Sequence, residues 1–77
     1  MNFSNGDRVI YVGLHPDTYD TKRIGWIGTV EGILSRGNVD VRFDGHVSPR
    51  PDGLYGVFPQ NIAPYNDAVD ETEAYFV

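Results

Sequence analysis

Two histidines and a scatter of carboxylates are the residues of this 77-residue chain that could hold a metal or move a proton. His15, Asp17 and Asp20 fall within "HPDTYD", and Asp44 and His46 within "FDGH". Imidazole and carboxylate donors bind zinc when several converge, but these spacings match no recurrent ligand pattern, and the chain has no cysteine to complete one. The aspartates read more simply as turn caps, because their side chains bond nearby backbone. Glycines at 25, 28 and 32 in "GWIGTVEG" fit neither a dinucleotide fingerprint nor a phosphate loop, and no helix follows to present its N-terminus to a phosphate. Ser4, Ser35 and Ser48 stand beside turn residues with no nucleophile elbow around them. The residues thus predict no catalytic group, no metal and no cofactor. A domain this small also has little room for the concave pocket of an enzyme.

Binding chemistry is better represented. The aromatic residues Phe3, Tyr11, Tyr19, Trp26, Phe43, Tyr55, Phe58, Tyr65, Tyr75 and Phe76 are many for the length, and a core of this size holds about four of them. Phe43 and Phe58 are the expected core rings, with Val9, Val30, Ile33, Val39 and Val41 around them, and Tyr11 reads as core filler. Partly exposed Tyr and Trp supply large contact area at low entropic cost. Tyr19, Trp26, Tyr55 and Pro59 are therefore the expected protein-binding residues. The alternative is a nucleic-acid face using Lys22, Arg23, Arg42 and Arg50, with the aromatics stacking on unpaired bases.

The elements that must position these residues are short. Nine glycines and five prolines leave no segment before residue 66 with apolar residues at helical spacing for three turns. Strands are predicted at 7–13, 26–34, 39–43 and 54–58, with "IAPY" as a fifth. Residues 14–25 form a long polar loop and 44–53 another, with Pro16, Pro49 and Pro51 excluding a regular ladder. "SRGN", 35–38, is a tight hairpin signal in which Gly37 and Asn38 tolerate positive φ. Gly28 and Gly32 let the second strand bend. In "VDVRF", Val39, Val41 and Phe43 face one side of the sheet, and Asp40 and Arg42 the other. "Phe-Pro-Gln-Asn", 58–61, is one turn of 3₁₀ helix, with proline at its first position.

"GLYGVFPQNIAPY" resembles the end of the eukaryotic SH3 domain. There, a Gly-Leu-Phe-Pro-x-Asn-Tyr-Val run makes the 3₁₀ turn and the last strand, and Gly56, Val57, Phe58, Pro59 and Asn61 fall on that pattern. Ile62 stands where the family has a groove tyrosine, and the front half lacks both the Ala-Leu-Tyr-Asp-Tyr run and the paired tryptophans. "GDRVIYVG", "KRIGWIGTVEGI" and "NVDVRFDG" are instead similar to the KOW-type barrels of ribosomal and transcription factors, and the order also resembles that of the small SH3-like subunit of photosystem I. The resemblance spans about residues 6–64 and implies an all-β, five-stranded SH3-like barrel, closed so that few edges remain. That fold hosts many unrelated roles.

The barrel is expected over 1–66 and an acidic, flexible tail over 67–77. The first part carries six basic and seven acidic side chains; the second carries Asp67, Asp70, Glu71 and Glu73 with no base. A near-neutral body lacks the basic excess of a duplex-DNA binder. The opening residues show no signal peptide, no apolar run approaches a membrane span, and cysteine is absent, so a cytoplasmic protein is expected. The picture is of a small accessory protein of the kind carried by phages. Its partner is another protein, with nucleic acid second and no membrane, and it is a monomer or a weak homo-oligomer.

Overall fold

The alternation of "VDVRF" builds the middle of the sheet. The computed structural model describes residues 3–14 and 21–66; within them, strand β3 is Val39–Phe43, as its period-two pattern predicts. β2 (Ile27–Ile33) lies on one side of it and β4 (Tyr55–Val57) on the other. β1 (Arg8–Tyr11) pairs with β2, and β5 (Ile62–Pro64) pairs with β1. All pairings are antiparallel and give one sheet in the order β4-β3-β2-β1-β5. The described chain is therefore all-β, with two 3₁₀ turns, Thr21–Arg23 and Pro59–Asn61, where one was expected. The tail at 67–77 lies outside the described residues.

Closure is not made. β4 and β5 are the two edges of the sheet. Each is only three residues long, and Pro64 has no N–H to give to a further ladder. The Pro59–Asn61 turn joins them, and Asn61 ties that turn to β1. Its carbonyl accepts from the Val12 and Gly13 N–H groups at 2.7 and 3.1 Å, and its buried amide donates to the Tyr11 hydroxyl at 3.3 Å.

The bend in β2 has two causes. The register shifts between Val30 and Gly32, so Glu31 is an extra residue that kinks the strand. Gly28, paired to Val9 on one side and Phe43 on the other, has no space for a side chain. A Cβ there would lie 2.5 Å from the Arg42 carbonyl oxygen and 2.9 Å from Phe43 Cα. At Gly32 the nearest atom would be 3.8 Å away, an ordinary contact. The hairpin after β2 turns on Gly37 at φ 90°, while among the described residues none other than glycine has positive φ, so Asn38 does not take that role.

The core comprises Val9, Tyr11, Val30, Val39, Val41, Phe43, Val57 and Ile62, with Phe3, Trp26 and Tyr55 packed against it. Two expected members are not there. Phe58 is 41% exposed and Ile33 46%. Phe58 is the extended residue that leads into Pro59, at the point where the chain leaves the sheet. Ile33 lies past the bulge, at the last pairing before the hairpin. Asp40 departs from the expected alternation in the other direction. It is buried, because Arg50 folds over that face and binds its carboxylate at 2.9 and 3.2 Å.

Gly28→Ala should cost about 3 kcal/mol or more, since backbone must move, from a total of roughly 4–12 kcal/mol for a chain this size. Gly32→Ala should stay within about 1 kcal/mol. Urea unfolding of both variants checks this, and equal costs would contradict the close approach at Gly28.

Candidate binding site

Phe43 is the base on which the candidate site is built. Its ring is buried, and three other rings meet it edge to face: Trp26 at 5.6 Å, Tyr55 at 5.6 Å and Tyr11 at 6.2 Å between centroids. Each such pair is worth about 0.5–1.5 kcal/mol beyond its buried area. Trp26 sits just before β2 and Tyr55 at the start of β4. β3 carries Phe43 between them, and the three rings form a triangle, since Trp26 and Tyr55 also meet each other edge to face at 5.6 Å.

Two polar side chains complete the cluster. His46, on the loop after β3, stacks flat on Trp26 at 3.5 Å with the rings 7° from parallel. The Arg23 guanidinium lies 4.7 Å from the Tyr55 ring centroid and 6.0 Å from that of Trp26, a cation–π arrangement. The Thr21–Arg23 turn places it there: the Trp26 N–H donates to the Arg23 carbonyl at 2.8 Å, and the Gly25 N–H to the Tyr11 carbonyl at 2.9 Å.

Exposed apolar side chains lie on the loops around this cluster. Leu14 is 76% exposed, Ile24 52% and Val47 78%. Leu14 follows β1, Ile24 precedes Trp26, and Val47 follows His46. A Cβ on Gly13 would touch Ile24 at 3.3 Å, so the two ends of the connection between β1 and β2 lie side by side.

Of the expected protein-binding residues, Trp26 and Tyr55 come together, each half-buried. Pro59 opens the second 3₁₀ turn, whose bonds run to β1 through Asn61. Tyr19 lies outside the described residues, as do His15, Asp17 and Asp20. His46, which the sequence offers only as a metal ligand, stacks instead on a ring far away in the chain. Asp44, the other half of that pairing, is bound by Arg8 at 2.7 and 3.2 Å. Among the described residues there is no group of three metal-ligating side chains.

The four cations of the nucleic-acid reading divide unevenly. Lys22 is exposed beside Arg23. Arg42 grips Glu31 with two bonds, at 2.7 and 3.2 Å. Arg50 binds Asp40 and also Asp52, the latter at 2.7 Å. Three carboxylates are shifted downward by their hydrogen-bond partners. The Arg8 guanidinium holds Asp44 below its ordinary value, Arg42 does the same for Glu31, and the Leu54 N–H, followed by Arg50, does so for Asp52. No helix among the described residues is long and apolar enough to cross a membrane.

A carboxyl whose pKa is lowered by folding adds stability above its unfolded value and loses it as pH falls through the folded one. The urea midpoint should hold level from neutrality to about pH 5 and drop below about pH 4. Asp44→Asn should start lower at neutral pH and converge with the parent in acid. A midpoint that does not move between pH 7 and pH 3 would show that these pairs contribute nothing.

Comparison with protein-family models, with curated proteins and with solved structures gives no match for this chain.

Proposed function

We propose that the chain is a non-enzymatic, cytoplasmic binding module with an SH3-like barrel, which holds a protein partner on the surface around Trp26, His46 and Tyr55. Two features support the barrel reading. The last strand lies beside the first, and a 3₁₀ turn on Pro59–Asn61 leads into it.

One observation carries the functional reading. Among the described residues, three of the six exposed large hydrophobics (Leu14, Ile24 and Val47) lie on the loops that flank the aromatic cluster. Apolar side chains scattered singly need no explanation, but a group around half-buried rings has the make-up of an interface centre. The residues that would contact the partner are Ile24, Val47 and the outer edges of Trp26 and Tyr55, with Arg23 lying across both rings. The partner reading is favoured over nucleic acid because Arg42 and Arg50 already hold carboxylates and Arg23 lies over two rings, so three of the four cations are already engaged. A phosphate-binding face needs more positive charge than that.

Trp26→Ala is a poor test, since it removes support from Phe43 and should cost about 2–4 kcal/mol of stability. Val47→Asp and Ile24→Asp are better. Both sites are more than half exposed, so the melting temperature should shift by no more than about 2–4 °C. The immobilised chain should retain specific proteins from host lysate that neither variant retains. Retention that survives both substitutions would move the interface elsewhere. Retention of RNA that disappears with added salt and with Lys22→Ala would make the protein a nucleic-acid binder instead.

A further inference from the structure

The loop from Asp44 to Leu54 carries His46 and Val47, and it is anchored at both ends by charge. At its start, the Asp44 N–H donates to the Ile27 carbonyl at 2.8 Å while its carboxylate takes two bonds from Arg8. At its far end, Arg50 reaches back to β3. One guanidinium nitrogen binds Asp40 Oδ1 at 2.9 Å, and the other is shared between Asp40 Oδ2 and Asp52 Oδ2 at 3.2 and 2.7 Å. Asp40 is 7% exposed and sits in the middle strand of the β2-β3-β4 group, so this anchor is fixed to the sheet. Smaller bonds tighten the same end. The buried Ser48 hydroxyl donates to the Leu54 carbonyl at 2.5 Å and accepts from the Arg50 N–H at 3.1 Å, and Asp52 accepts from the Leu54 N–H at 3.0 Å. Between the anchors, Gly45 turns the chain at φ 77°, and His46 is delivered flat onto Trp26.

Gly56 fits the same account. A Cβ there would lie 3.6 Å from both Arg50 Nη1 and Asp40 Oδ1, so the ion pair lies over β4 where that strand has no side chain. Arg42 offers an internal contrast. It makes an equally short pair with Glu31 that joins β2 to β3, and although its guanidinium lies beside Gly53 it bonds no carboxylate of the loop.

We propose that Arg50 is a positioning residue of the binding surface: by clamping Asp40 and Asp52 it holds the 44–54 loop so that His46 covers Trp26 and Val47 is presented to the partner. The proposal rests on the binding reading given above for this cluster. It assigns Arg50 a part in recognition without contact to the partner, and it makes His46 a fixed wall of the site. A guanidinium suits the task because its planar fork can serve two carboxylates at once, which an ammonium does poorly.

The chain has a single tryptophan, so the stack can be read directly. His46 ring protons lying over the indole should resonate well upfield in the parent, and Trp26 emission should report its half-buried setting. In Arg50→Gln, the far-UV circular dichroism and cooperative unfolding should persist, while the His46 upfield shift is lost and the Trp26 emission moves to longer wavelength. Arg50→Lys should keep part of both signals, Asp52→Asn most of them, and Arg42→Gln all of them. Capture of the lysate proteins retained by the parent should fall with Arg50→Gln and survive Arg42→Gln. Arg50→Gln with both spectroscopic signals intact overturns the proposal, as does an equal loss in Arg42→Gln. Should Arg50→Gln unfold outright, Asp52→Asn and Arg50→Lys decide, and signals unchanged in both of them refute the clamp. Loss of the stack with undiminished capture leaves the clamp standing and refutes the binding surface, so the two failures are distinguishable.

Discussion

The close approach of β3 to β2 at Gly28 is the constraint on which the rest of the molecule depends. Because position 28 has no Cβ, the Arg42 carbonyl and Phe43 Cα come nearer than any side chain would allow. Phe43, at that point of β3, is buried together with Val9, which pairs to Gly28 from the other side. With Phe43 in place, Tyr11, Trp26 and Tyr55 each have an edge to pack on. Three of the strands, β1, β3 and β4, are thus joined to the Trp26 segment through one ring. The hydrophobic core and the candidate site are the same cluster viewed from inside and from outside.

Charge organises the outer layer around that cluster. Strand β3 has an arginine at 42 and an aspartate at 40, and each is matched from a different direction. Glu31, the bulge residue, meets Arg42 within the sheet, whereas Asp40 is met by an arginine from a loop. The first pair is exposed on both sides, and pairs of that kind contribute little to stability. The second has a nearly buried carboxylate, which would be costly to leave unpartnered. Arg50 therefore has one place to be, and the loop that carries it follows. Charges placed this way do little for overall stability and much for the conformation of a segment rich in glycine and proline.

Where local pattern decides the outcome, the sequence is legible. The alternation in "VDVRF" places Val39, Val41 and Phe43 in the core, the β-branched run before Tyr11 makes β1, and Pro59 to Asn61 make the second 3₁₀ turn. What the pattern misses depends on long-range partners. Asp40 reads as a solvent-facing residue until Arg50 covers it, and nothing near either residue announces the pair. Phe58 reads as core because it is a ring beside an apolar strand, yet it falls where the chain turns away from the sheet. Ile33 lies past the bulge at Glu31; Gly32 announces a bend there but not the change of register. For the site, Trp26 and Tyr55 are recognisable as aromatics at the ends of strands. His46 stands out in the sequence only as a metal ligand and Arg23 only as a nucleic-acid contact, because stacking on a ring leaves no spacing in the chain.

Trp26 illustrates why filler and anchor need not be alternatives. An indole is large enough to give one edge to a core ring and another to solvent. Here Phe43 and Tyr55 each meet it at a steep angle and His46 covers a face. A side chain held on three sides loses little entropy when a partner covers the fourth, so the contacts that make it part of the core also prepare it to bind. The same reasoning extends to Tyr55, whose ring rests on Phe43 and carries the Arg23 guanidinium on its face. In a domain too small for a separate interior and surface, the rings that close the core are also the rigid ones that the proposed partner would meet.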